Sequence, residues 1–153
     1  MNLTVAVTGL NATDNPAPGV AVIRSIRAAE PSVTIVGFAY DALDPGNYMA
    51  GIADHVYLMP YPSQGSDVLL ERIRAIHETT PLDVIVPSLD SELSAYIRIA
   101  DVLKSMGIAM FVPTAEQLKL RAKDQLHALA DKGISVPRGK VLTDARVIPN
   151  LGD

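Results

Sequence analysis

Five short runs of apolar and β-branched residues, each separated from the next by a segment of different character, constrain this chain more than any other feature. Residues 3–8 (LTVAVT), 33–39 (VTIVGFA), 55–59 (HVYLM), 83–86 (DVIV) and 108–112 (IAMFV) read as strands. Between the first two, Val20, Ile23 and Ile26 fall near helical spacing over residues 20–28. A short helix is expected around residues 48–52, after the turn-forming Asp44-Pro45-Gly46. Asp67 is placed to cap a helix to about residue 78, with Leu69, Leu70, Ile73 and Ile76 on one side. Residues 93–106 form an amphipathic helix through Leu93, Tyr96, Ile97, Ala100 and Leu103, ended by Gly107 in the favoured C′ position.

The order is therefore βαβαβαβαβ. Repeated strand-helix-strand units with nearly all-apolar strands imply an α/β fold, a doubly wound parallel sheet with helices on both faces in three layers, αβα. Ligands of such sheets bind beyond the carboxyl ends of the strands, so function is expected in the loops after Thr8, Ala39, Val86 and Phe111.

Composition narrows the function classes. A net charge of −4, with arginines spread over separate segments, offers no general attraction to nucleic acid or an anionic membrane. The first apolar run is short and lacks a basic flank, and no apolar stretch approaches the length needed to span a bilayer, so a cytoplasmic, soluble protein is expected. With no cysteine, disulfides and thiol mechanisms are excluded. The histidines His55, His77 and His127 lie far apart, without metal-ligand spacing, so no metal site is expected, and no serine sits on a nucleophile elbow. No residue here reads as catalytic.

Two loops carry the candidate binding residues. In residues 9–19, Asn11, Thr13, Asp14 and Asn15 are polar, and amides near Gly19 and Val20 could receive an anion at a helix start. The same residues are good turn formers, and the loop is not the dinucleotide fingerprint, since no G-x-G-x-x-G occurs. In Ser88-Leu89-Asp90-Ser91-Glu92, Asp90 suits an N-cap and Glu92 suits the first helical turn. Ser88, Asp90 and Glu92 could instead hold polar substrate groups, two carboxylates suiting a cationic or amine-bearing ligand. Asp41 and Asp44 follow the second strand where a dinucleotide fold would place a ribose-binding acid, a role weakened by the missing glycines.

From Pro113 the organisation changes. Thr114-Ala115-Glu116-Gln117 is a capping box opening a short helix to about Leu120, followed by a second from about Lys123 to Lys132, closed by Gly133. Ile134-Ser135-Val136-Pro137 breaks the helical pattern, and an extended segment is expected from Gly139 to Leu142.

The strand Asp83-Val84-Ile85-Val86-Pro87, the acidic loop 88–93, the helix ending Met106-Gly107-Ile108, Pro113-Thr114, the Lys123-Asp124 helix start and Gly133 to Pro137 together resemble the amino-terminal part of ATP-grasp enzymes. The layout is similar to biotin carboxylase and the carbamoyl phosphate synthetase large subunit. The resemblance implies a Rossmann-like pre-ATP-grasp domain over residues 1–112, and over 113–153 linker helices and the truncated start of the ATP-grasp core. It implies an ATP-dependent ligase that activates a carboxylate as an acyl phosphate, using ATP and Mg²⁺ in the full-length enzyme. Lys123 matches the family lysine that approaches the nucleotide phosphates, although a lysine there can also be a solvated helix-end residue; Lys140 is a weaker match. The loops 11–15 and 88–92 would face a small polar substrate. The family's Mg²⁺ ligands would lie beyond Asp153, so the 153 residues are expected to need no cofactor, to be inactive alone and to require the downstream core. Leu-rich helix faces leave a homodimer open. The alternatives are a free-standing Rossmann-like module for a nucleotide or small carboxylate, and a flavodoxin-like signalling domain, which would need an acidic cluster after the first strand.

Overall fold

The computed structural model describes residues 3–12, 16–120, 123–137 and 142. Contacts divide the chain at Val112 into two units, Met1–Val112 and Pro113–Asp153.

In the first unit, β1 (Thr4–Thr8), β2 (Thr34–Ala39), β3 (His55–Leu58), β4 (Val84–Val86) and β5 (Ala109–Met110) form one sheet in the order β3-β2-β1-β4-β5. All four pairings are parallel. Three α-helices connect them: α1 (Gly19–Ala29), α2 (Ser66–Thr79) and α3 (Asp90–Ser105). Because successive strand residues point to opposite faces, the sheet feeds two cores. Val5, Val7, Ile35 and Ala39 pack with Val20 and Ile23 of α1. Ala6, Val36, Phe38 and Ile85 pack with Leu69, Ile73 and Ile76 of α2 and with Tyr96, Ile99 and Leu103 of α3. Helices therefore cover both faces, and the architecture is the expected Rossmann-like αβα arrangement.

The element edges differ from the sequence expectation for identifiable reasons. Between β2 and β3 the chain forms a 3₁₀ turn at Pro45–Tyr48 in place of a helix at 48–52, with Pro45 in its first turn. No α-helix lies between β2 and β3, and Val56 and Leu58 stay 37% and 49% exposed. The N-cap of α2 is Gly65, not Asp67, which sits in the first turn where its charge complements the helix dipole. The last strand pairs only at Ala109–Met110.

Helix α3 ends as its sequence dictates. Gly107 adopts φ +83, and the Ile108 and Gly107 amides donate to the Leu103 and Lys104 carbonyls at 2.9 and 3.0 Å, a Schellman motif. Ile108 then packs in the same core as Leu103. At the other end of the sheet, Arg27 of α1 donates to the carbonyls of Val33 and Ile52 and pairs with Asp54 at 2.8 Å. Asp54 also accepts the Ile35 amide at 2.7 Å, so one ion pair joins α1, β2 and the entry to β3.

In the second unit, α4 (Ala115–Leu120) opens with the expected capping box: Gln117 accepts the Thr114 amide at 2.9 Å, and the Thr114 hydroxyl accepts the Gln117 amide at 3.1 Å. Residues Lys123–Lys132 form a 3₁₀ helix, with tighter winding than the helix expected. Its end is closed by amides of Gly133 and Ile134 donating to Ala130 and Leu129. The extended segment expected from Gly139 to Leu142 lies, apart from residue 142, outside the described residues. Among the described residues no helix is long and apolar enough to cross a membrane.

Candidate functional site

The strand order reverses between β1 and β4, and a cleft of about 880 Å³ opens there, at the carboxyl ends of the strands. Four loops build it, those after β1, β2, β3 and β4.

The loops are fitted to one another at backbone distance. Gly9 adopts φ +75, a conformation that favours glycine, and a Cβ there would stand 2.5 Å from the Ser88 Oγ of the β4 loop. Gly46 donates its amide to the Leu10 carbonyl at 2.9 Å, and a Cβ there would stand 2.5 Å from the same oxygen. The β2 loop is then tied internally. Asp44 accepts the Tyr40 and Asp41 amides at 3.3 Å each, Asp41 accepts the Leu43 amide at 2.8 Å, and the Tyr48 hydroxyl donates to the Ala42 carbonyl at 2.7 Å.

Beneath the cleft lies a buried polar centre. Glu92, 1% exposed, takes one oxygen, Oε1, to the Ser88 amide at 2.7 Å, the Leu89 amide at 2.9 Å and the Thr8 hydroxyl. Its other oxygen, Oε2, accepts the Tyr40 hydroxyl. The Ser88 hydroxyl donates to the Thr8 carbonyl at 2.8 Å. Burial pushes the Tyr40 phenol far above its ordinary range, with the neighbouring Tyr96 hydroxyl and the Glu92 charge adding to it. Tyr96 is raised by burial first and by Glu92 second. Both phenols thus remain protonated across any ordinary pH, and that of Tyr40 donates to Glu92. On the cleft side, the Tyr40 ring stacks on Tyr61, with centroids 6.0 Å apart and planes inclined by 19°.

The sequence candidates divide on this geometry. Asn11, Ser88 and Asp90 line the cleft. Glu92 does not; its carboxylate faces inward and is engaged by four donors. Asp90 is the first residue of α3 and not its N-cap, because the Glu92 side chain caps the Leu89 amide from the third position. Gly19 is not available to an anion, since its amide donates to the Gly9 carbonyl at 3.1 Å and the residue is buried. Its requirement is steric: a Cβ would stand 2.0 Å from the Thr8 carbonyl oxygen. Thr13, Asp14 and Asn15 lie outside the described residues, as does Lys140, and Lys123 begins the 3₁₀ helix of the second unit. Phe111 is fully exposed and does not line the cleft.

Sequence reasoning missed Tyr40, Leu43 and Tyr61, which line the cleft, and gave Asp41 and Asp44 only a ribose role. The strand-end rule pointed to the loop after Ala39, so its residues could have been found; Tyr61, beyond β3, carried no signal. The described lining holds three aspartates, Asp41, Asp44 and Asp90, and no lysine, arginine or histidine. Such a lining disfavours a nucleotide polyphosphate, whose negative charge is drawn to cations. No group of three histidine, aspartate or glutamate residues among those described is placed to hold a metal ion.

No family model matches the chain, and no curated protein does. Solved structures do match. An L-amino acid ligase from Bacillus licheniformis superposes with a TM-score of 0.60 at 14% identity, over 89% of this chain and 32% of the ligase. The biotin carboxylase domain of a single-chain bacterial carboxylase gives 0.59 at 17% identity, over 98% of this chain and 34% of that one. The multifunctional pyruvate carboxylase of Rhizobium etli gives 0.55 at 18%, over 90% of this chain and 13% of that one. These are ATP-grasp enzymes, and at such identities the likeness establishes a shared Rossmann-like fold, the one the sequence resemblance implied. The chain spans about a third of the ligase and of the biotin carboxylase domain.

Proposed function

We propose that this chain is the amino-terminal, substrate-side domain of an ATP-grasp carboxylate-amine ligase, an enzyme that activates a carboxylate as an acyl phosphate and lets an amine displace the phosphate. The acidic cleft at the strand switch point carries this reading. Carboxylates accept hydrogen bonds and attract positive charge, so Asp41, Asp44 and Asp90 favour a substrate presenting an amine. The same lining disfavours ATP, whose phosphates and Mg²⁺ belong in this reading to the ATP-grasp lobes of such an enzyme. Lys123, in the second unit, is assigned a phosphate contact there by the family resemblance alone. The likeness to an L-amino acid ligase supports the reading, and the lack of cations among the described lining residues weighs against a free-standing nucleotide module.

The test is an amide NMR titration of the 153-residue chain with amino acids and simple amines, with carboxylates lacking an amine, and with Mg-ATP. Amine-bearing ligands are expected to shift Asn11, Leu43 and Ser91 saturably, and D41N and D90N to weaken them about threefold to fivefold each. Saturable shifts at those residues by Mg-ATP, or by carboxylates alone, would overturn it.

A further inference from the structure

The Glu92 carboxylate touches both walls of the cleft and lines neither. Through Oε1 it fixes the Ser88 and Leu89 amides, at the start of the wall that continues through Asp90 and Ser91. Through Oε2 it holds the hydroxyl of Tyr40, whose ring forms the opposite wall with Tyr61. The Thr8 hydroxyl, from the end of β1, joins the same oxygen as the two amides.

We propose that Glu92 is a positioning residue that sets the spacing and orientation of the two cleft walls, contacting no ligand itself. A buried acceptor is retained in an otherwise apolar interior only where donors converge on it, and here they arrive from three separate loops or strand ends. Tyr61 is half exposed, so its stacked arrangement depends on Tyr40 being held from behind. The carboxylate is the group that holds it. Residues in the cleft thereby share one anchor, and a change at the Tyr40 hydroxyl reaches the ring that faces the ligand.

The chemistry of substitution separates positioning from simple packing. In E92Q the amide oxygen can keep the Ser88, Leu89 and Thr8 donors while its NH₂ donates to the Tyr40 oxygen, so the bond reverses direction and the geometry survives. In E92M the volume is kept and every acceptor is lost. In Y40F only one bond disappears, and the ring is released while the Ser88–Leu89 wall stays capped.

The inference rests on the cleft being the working site, but its test needs no ligand, so failure of the substrate reading and failure of this one are separable. Tyrosine ring resonances and amide hydrogen exchange of the folded chain provide the readouts. Y40F is expected to move the Tyr61 ring resonances toward those of an unstacked tyrosine, with Ser88 and Leu89 exchange changed less than about threefold. E92M is expected to move the Tyr61 resonances and to accelerate exchange at Leu89 by about tenfold or more, the effect of one lost hydrogen bond, with Ser88, whose amide also donates to Thr8 Oγ1 at 2.7 Å, changing less. E92Q is expected to restore both to near wild type. Tyr61 resonances unmoved in Y40F, or an E92Q protein that behaves as E92M does, would overturn the proposal. Should E92M fail to fold, Y40F and E92Q decide the question between them.

Discussion

A methyl group at Gly19 would lie 2.0 Å from the Thr8 carbonyl oxygen and 2.4 Å from that of Gly9, whereas at Gly107 it would meet open space. The two glycines are therefore required for different reasons. At Gly107 the cost is conformational, since φ is +83, and G107A is expected to lose about 1 kcal/mol of stability. At Gly19 the cost is backbone overlap that no rotamer relieves, so G19A is expected to lose about 3 kcal/mol or more and to disturb the β1 loop. Urea unfolding of the two variants, with amide shifts at Asn11 and Ala17 as the local reporter, checks the ranking. Loss in the reverse order would mean that α1 can slide away from β1. At this scale the sequence was only partly readable. Gly107 announced itself by following a periodic helix and preceding an apolar run. Gly19 looked like an anion-binding amide, because the carbonyl that consumes it comes from a residue ten positions earlier.

At the amino ends of the strands an ion pair joins separate elements. Arg27 at the end of α1 and Asp54 before β3 meet at 2.8 Å, and the carboxylate also takes the Ile35 amide. Burial acts to raise the Asp54 carboxyl, but the Ile35 amide and then Arg27 outweigh it and hold the group below its ordinary value. A depressed folded-state value gives stability that is present above the unfolded value, about 4, and is lost as pH falls through the folded one. Unfolding free energy should therefore decline below about pH 4, and D54N should remove part of that decline. Because both side chains are partly exposed, the contribution at neutral pH is expected to be no more than about 1 kcal/mol. Urea midpoints at pH 7, 5 and 3 for wild type and D54N measure it; parallel curves would sink the assignment. The strands and helices were legible because their apolar spacing is set by local geometry. Their ends were less so: the start of α3 at Asp90 depends on Glu92 reaching back to an amide, a choice made by packing around Thr8 and Tyr40.

For the whole first unit, the alternation of strands and helices foretold a parallel sheet, and the switch-point rule foretold where a cleft would open. Neither could foretell that Tyr61 would stack on Tyr40 to complete the wall opposite the Ser88 loop, because the two rings meet only after β2 and β3 pair. Nor could they foretell which carboxylate faces the ligand. Asp90 and Glu92 are two apart in sequence, and the helix turns one into the cleft lining and the other into the core. If the cleft works through its acidic lining, amine-bearing ligands should raise the Tm of the chain, and D41N combined with D90N should diminish that rise without lowering the Tm of the free protein by more than a few degrees. A Tm rise unaltered in the double variant would place the ligand elsewhere.

The interlocked loops also bear on how such a domain could be retargeted. With Gly9 against Ser88 and Gly46 against Leu10, a side chain introduced at either glycine would prise the neighbouring loops apart. New specificity must come instead from side chains that line the cleft while leaving that frame intact. Leu43, 81% exposed and part of the lining, is the position at which substitution should be tolerated first.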